Sequence, residues 1–179
     1  GNIEQGIARI QNIINGILDF ARPVPPALKK TNLHKVLDSS LNSAKHELEQ
    51  AGIHLEKNYQ ATHRHVLIDA NLMGQVFVNL FLNAKDAMSP GGQLRIHTSS
   101  SENSIAVQIA DTGKGIPPEH LEKIYDPFFT TKTDGIGLGL AVVARIVEQH
   151  QAQISAESKP GRGTKFIITL PLAPGNGVL

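Results

Sequence analysis

Asn79 and Asn83 stand four residues apart in a strongly apolar run, Val76, Phe77, Val78, Leu80, Phe81 and Leu82. In a helix that spacing puts both carboxamides on one face. A bare amide in such a setting is costly without a partner. Its oxygen is a hard, neutral ligand, suited to a magnesium ion that keeps several waters and is held mainly by nucleotide phosphates. On the pair alone, a second reading stays open: the amides cap or bond nearby backbone. The next reactive segment is Asp111-Thr112-Gly113-Lys114-Gly115-Ile116-Pro117, directly after a strand pattern. Its two glycines allow a tight turn and close approach of a flat ligand to the backbone. A buried carboxylate there can accept a hydrogen bond from an exocyclic amine such as that of adenine. A plain turn remains the alternative. Asp-Thr-Gly also occurs in aspartic proteases, but no matching second aspartate is evident.

The third segment is Gly135-Ile136-Gly137-Leu138-Gly139-Leu140, leading into a helical pattern. Free N–H groups at a glycine-rich helix start form a ready anion site. The Lys-Ser/Thr of a P-loop is missing and no βαβ unit surrounds the run, so neither common phosphate signature applies. The preceding loop, with Phe128, Phe129, Thr130, Thr131 and Lys132, offers aromatic anchors and one cation able to close over phosphates. Gly161-Arg162-Gly163-Thr164 reads, by itself, as a hairpin turn.

The elements that must hold these groups follow from periodicity. Ile3, Ile7, Ile10, Ile14, Ile17 and Leu18 form one apolar stripe, predicting a helix of about 20 residues whose stripe needs a partner helix. Pro23, Pro25 and Pro26 end it and give a stiff linker over 23–30. Thr31 to Gly52 reads as a helix with Asn32 as cap. Strands are expected at Ile53 to Lys57 and His65 to Ile68, and a helix from Ala70 to Met88. Leu94 to Thr98 and Ile105 to Ala110 alternate like paired antiparallel strands. A short helix at Glu119 to Ile124, a loop at Tyr125 to Gly137, a helix from Leu138 to Gln149, and strands at Ile154 to Glu157 and Thr164 to Leu170 complete the domain, 31–172. Residues 173–179 read as a tail. The strands arrive mostly as hairpins, so the expected fold is α+β: a two-layer sandwich with a mixed, mostly antiparallel sheet covered on one side by helices.

The bulk numbers agree. The chain has 179 residues, 40% apolar and 18% charged, with a formal charge of +1, which suits one globular domain and gives no long-range reason to expect nucleic acid. Without cysteine there is no disulfide, zinc-thiolate site or thiol nucleophile. No stretch reaches 18 consecutive apolar residues, and the chain begins inside a helical pattern. A soluble, excised cytoplasmic domain is expected, from a parent either membrane-anchored or soluble.

In order and spacing, these segments resemble the catalytic and ATP-binding domain of bacterial sensor histidine kinases, in the GHKL superfamily. "QVFVNLFLNAKDAM" at Gln75 to Met88 looks like the N box, "DTGKGIP" at Asp111 to Pro117 the first glycine box, and "DPFFTTK" at Asp126 to Lys132 the F box. "GIGLGL" at Gly135 to Leu140 looks like the second glycine box and "GRGTKF" at Gly161 to Phe166 the last. The ordered combination, spanning Thr31 to Pro171, is highly specific.

The resemblance implies a Bergerat-type fold binding ATP and Mg2+. Asn83 would be the metal ligand, with Asn79 on the triphosphate side and Lys132 a cation at the reacting end. Asp111 would take the adenine amine, with Gly113, Gly115, Ile116 and Thr164 shaping that pocket. Gly135, Gly137, Leu138, Gly139 and Leu140 would lie against the phosphates, at the base of a short mobile lid that includes Thr131 and is similar to the nitrogen-regulation type. Many relatives carry a lysine three residues after the second asparagine, where this chain has Asp86, with Lys85 one position before; Lys132 or Arg145 would then supply the phosphate contact. The family transfers the γ-phosphoryl to a histidine on a dimerisation hairpin, then to an aspartate of a response-regulator receiver domain. Residues 1–22, with "FARP" at Phe20 to Pro23, resemble the second helix of that hairpin, leaving the acceptor helix and the second subunit of a homodimer to be supplied. His46-Glu47 has no proline after it and lies inside the domain's own first helix, so none of the eight histidines is read as the acceptor. They are expected to be surface or structural residues.

Overall fold

The computed structural model describes residues 25–88, 90–132 and 135–173. The helix and hairpin assignment for 1–22 and the tail beyond Ala173 lie outside the described residues. Seven strands and four helices are described: β1 Lys29–Asn32, α1 Leu33–Gln50, β2 Ile53–Tyr59, β3 His65–Ile68, α2 Ala70–Ala87, β4 Gly92–Ser100, β5 Ser104–Asp111, α3 Pro118–Leu121, α4 Gly139–Gln149, β6 Gln153–Ser158 and β7 Thr164–Pro171. None of these helices is long and apolar enough to cross a membrane.

Strands β2-β4-β5-β7-β6 form one sheet in that order. β2 pairs parallel with β4, and the other three pairings are antiparallel, giving the mixed, mostly antiparallel sheet expected. Alternation along β5 buries Ile105, Val107, Ile109 and Asp111 on one face. Phe166, Ile168 and Leu170 of β7 join them. Helices α1, α2 and α4 cover that face, with α2 packed against both of the others. The apolar stripe of α2, Met73, Val76, Phe77, Leu80, Phe81 and Ala84, is buried, with Phe77 and Phe81 fully so. The same helix therefore fills the core with one side and presents Asn83 with the other.

One boundary differs from the periodicity reading. Thr31 and Asn32 belong to β1, which pairs antiparallel with β3, so α1 begins at Leu33. Asn32 still caps it, its side-chain oxygen accepting from the N–H groups of His34 and Lys35. A four-residue strand, "KKTN", has too little alternation to announce itself, and only the pairing with β3 defines it. Asp69 caps α2 in the same manner, accepting from Asn71 and Leu72.

Candidate functional site

The end of the sheet where β5 ends and β7 begins opens into a cleft of about 380 Å3 between α2, the Asp111 loop and the segment leading into α4. That is a size suited to a small-molecule ligand. Of the residues singled out by sequence, Asn83, Asp111, Gly115, Ile116, Thr131, Lys132, Gly135, Gly137, Leu138, Gly139, Leu140 and Thr164 line it. Asn79, one turn earlier on α2, and Gly113 do not.

At one end Asp111 is only 8% exposed. One carboxylate oxygen, Oδ1, accepts from the N–H of Gly113 at 2.8 Å and of Thr164 at 3.2 Å. The other makes no hydrogen bond among the described residues. Burial pushes the carboxyl above the usual carboxylate range, and the two N–H donors pull it back. The turn over Lys159 to Gly163, a plain hairpin turn in the sequence, is what holds this carboxylate. Gly161 N–H donates to Lys114 O at 2.7 Å, and Ile116 N–H donates to Ser158 Oγ at 2.8 Å. Gly163 has φ +86, and a Cβ built on it would lie 1.9 Å from Asp111 O. Gly113 likewise has no room for a side chain, with Ala87 O at 2.5 Å, so it serves the site from behind. Gly163→Ala is expected to cost about 3 kcal/mol or more through positive φ and overlap, read as a lower denaturation midpoint at an unchanged m-value.

At the other end α4 starts at Gly139 without a side-chain cap. Val142 N–H is the first to be paired, to Leu138 O at 2.9 Å. The N–H groups of Gly139, Leu140 and Ala141 have no partner among the described residues, so the helix dipole and free donors together favour an anion. Gly137, at φ +75, lets the chain pass under the aromatic pair: a Cβ there would meet Phe128 C at 2.4 Å. Phe128 N–H in turn donates to Gly137 O at 2.9 Å. Phe128 adopts φ +68 and is 62% exposed, a strained backbone held at the base of the loop.

Across from α4, the Lys132 ammonium donates to Asn83 Oδ1 at 3.0 Å and to Asp86 Oδ2 at 2.7 Å. A hard neutral oxygen and an anionic one thus already receive a cation, a donor set that fits a hydrated magnesium ion. Lys85 lies 3.5 Å from Asp86 instead. The pairing of Asp86 with Lys132 keeps a positive group at this end of the cleft.

His120 is a lining residue that sequence reasoning placed among surface or structural histidines. Its ring meets Phe129 edge-on at 5.4 Å, and its buried Nδ1 has no hydrogen-bond partner among the described residues. Nothing in the four-residue helix α3 signals this; the position is set by Phe129, which reaches it from the loop. Ile124 and Phe166 complete the apolar wall. The structural reading holds for His150, 2% exposed, and for His34, stacked on Tyr59 at 4.4 Å.

A mixed five-stranded sheet under helices, with a cleft joining a buried carboxylate to an uncapped glycine-rich helix start, defines the fold of a histidine kinase catalytic domain. The solved, nucleotide-free catalytic domain of histidine kinase ThkA superposes with a TM-score of 0.75 at 28% identity, covering 82% of this chain and 99% of that one. The chain belongs to the family of histidine kinase-, DNA gyrase B-, and HSP90-like ATPases, whose profile matches residues 68–174. Among curated relatives, it is 35% identical over 165 residues to sensor histidine kinase ZraS of Salmonella typhimurium, covering 92% of this chain and 36% of that protein. It is 36% identical over 166 residues to sporulation kinase A of Bacillus subtilis, covering 92% of this chain and 27% of the relative. The chain thus spans about a third of the length of these relatives.

Proposed function

We propose that this domain holds magnesium-ATP and passes its γ-phosphoryl group to a histidine carried on a separate helix of a dimerisation hairpin, from which an aspartate of a response-regulator receiver domain takes it. The observation that carries this reading is the polarity of the cleft. An acceptor for the adenine amine, Asp111, lies at one end, and Asn83, Lys132 and the first N–H groups of α4, unpaired among the described residues, line the other.

In this reading the free oxygen of Asp111 takes the exocyclic amine while Gly115 lets the purine lie against the backbone. Gly135, Gly137 and Gly139 follow the phosphates, and the first turn of α4 faces their charge. Asn83 would hold the magnesium, which would supply positive charge against the phosphates. Lys132 moves from Asp86 toward the γ-phosphate as the loop closes. The attacking imidazole nitrogen then needs only in-line placement, so positioning and charge stabilisation do the work. An ATP-hydrolysing relative would be expected to carry a water-activating glutamate where this chain has Asn79.

The test is to mix the domain with a separately produced hairpin bearing the acceptor histidine, magnesium and γ-labelled ATP. Acid-labile label on the hairpin, with slow steady-state hydrolysis in its absence, is the expected result. Multiple turnover of ATP without an acceptor, and no label on the hairpin, would instead identify a hydrolase.

A further inference from the structure

Asp69 lies between β3 and α2, away from the cleft, yet three segments meet on it. Its Oδ1 accepts from Asn71 N–H at 3.0 Å and Leu72 N–H at 3.2 Å, capping α2. Its Oδ2 accepts from Ala27 N–H at 3.0 Å, in the segment that leads into β1. Its own N–H donates to His150 Nε2 at 3.0 Å, at the end of α4. Because Nε2 is the acceptor there, the ring proton is on Nδ1, which donates to Ile146 O at 2.7 Å. His150 is thereby fixed in one tautomer and locked to its own helix.

Helices α2 and α4 pack against each other. The start of α2 meets the end of α4 at Asp69, while the far part of α2, at Asn83, and the start of α4, at Gly139, line the cleft. The two rods therefore form a pair of tongs. The ligand end is separated from the Asp69 end by 14 residues of α2, roughly 20 Å at 1.5 Å per residue. A change in the set of the two helices when the cleft fills can be passed along them to where their other ends are tied. The preceding segment is tied there too: Ala27 by its hydrogen bond, and β1 by its ladder to β3, from Lys29↔Ile68 to Asn32↔His65.

We infer that Asp69 is a positioning residue coupling the segment around Ala27 to nucleotide occupancy of the cleft. It acts through the two helices it ties, without touching the ligand. The inference rests on the cleft being a nucleotide site. Linkage makes the coupling reciprocal: if ATP strengthens the Ala27 contact, loss of that contact weakens ATP by the same factor. A single charge-assisted hydrogen bond in partial solvent limits that factor to about threefold to tenfold.

The variant Asp69→Asn separates the roles. Its oxygen can still cap α2, since asparagine is as good a cap as aspartate, while its amide turns a donor toward Ala27 N–H. Ala27→Pro removes the donor from the other side and leaves Asp69 intact. The measurement is the chemical shift and hydrogen exchange of the Ala27 amide by NMR, with and without saturating magnesium-ATP, alongside ATP affinity by calorimetry. In the wild-type protein ATP is expected to slow Ala27 exchange severalfold. In Asp69→Asn that response disappears, and both variants bind ATP about threefold more weakly. Wild-type binding of ATP with no change at the Ala27 amide, or variants with unchanged affinity, would overturn the coupling. Failure of the wild-type protein to bind ATP at all would overturn the functional reading beneath it.

Discussion

Asn83→Ala is expected to reduce phosphoryl transfer by roughly 100-fold to 1,000-fold, the range seen when one preorganised electrostatic contact at a reacting centre is removed. It should also abolish the tightening of ATP binding by magnesium. The substitution takes away the neutral oxygen now receiving Lys132 at 3.0 Å and leaves the Asp86–Lys132 pair, at 2.7 Å, without that oxygen beside it. Fold stability should not fall with it. Asn83 is only half-buried, and alanine is the better helix former by about half a kcal/mol. Loss of magnesium dependence at an unchanged or higher melting temperature would separate a ligand from a structural amide. Unaltered magnesium dependence in the variant would remove Asn83 from the metal site.

Asp111→Asn is the second large effect, and its two consequences have opposite signs. The amide oxygen can keep both N–H bonds from Gly113 and Thr164, but the amide nitrogen then points a donor where an adenine amine would donate. A site built around one hydrogen bond rejects the mismatched partner strongly, so ATP affinity should fall about 100-fold or more. Stability should rise. The folded-state pKa of Asp111 lies above its unfolded value because burial disfavours the charge. The aspartate therefore contributes most to stability when protonated, and that contribution is lost as pH rises through the folded pKa. The asparagine variant should match the wild-type protein most closely below about pH 4, the unfolded carboxyl range, and exceed it at neutral pH. Melting curves from pH 3 to pH 8 check this. A variant less stable at neutral pH would show that the carboxylate's two N–H bonds outweigh its desolvation.

Much of this site was legible in the chain because its parts are local. The spacing of Asn79 and Asn83 fixes one helix face, the glycines at 113 and 115 fix a turn after a strand, and the run from Gly135 to Gly139 fixes an open helix start. Alternation in β5 likewise shows the face of the sheet that is buried. What stayed hidden depends on contacts between distant segments. Nothing near Gly163 announces that it must lie against Asp111, 52 positions earlier, and no local pattern draws Asp86 to Lys132 or His120 to Phe129. The strand β1 exists only as a partner to β3, so Thr31 and Asn32 read as the start of the helix they precede. Asn79 shares a helical face with Asn83, but the cleft reaches α2 only from Asn83 onward, because periodicity sets direction and not depth.

The polarity of the cleft is tested most directly by calorimetric titration of the wild-type protein with ATP and with GTP, each with and without magnesium. GTP presents a carbonyl oxygen where ATP presents the amine, so it would set an acceptor against the Asp111 carboxylate. The expected result is ATP binding that tightens with magnesium and exceeds GTP binding by at least about 100-fold. Equal affinity for the two nucleotides, or ATP binding indifferent to magnesium, would contradict the placement of adenine at Asp111 and of the metal at Asn83.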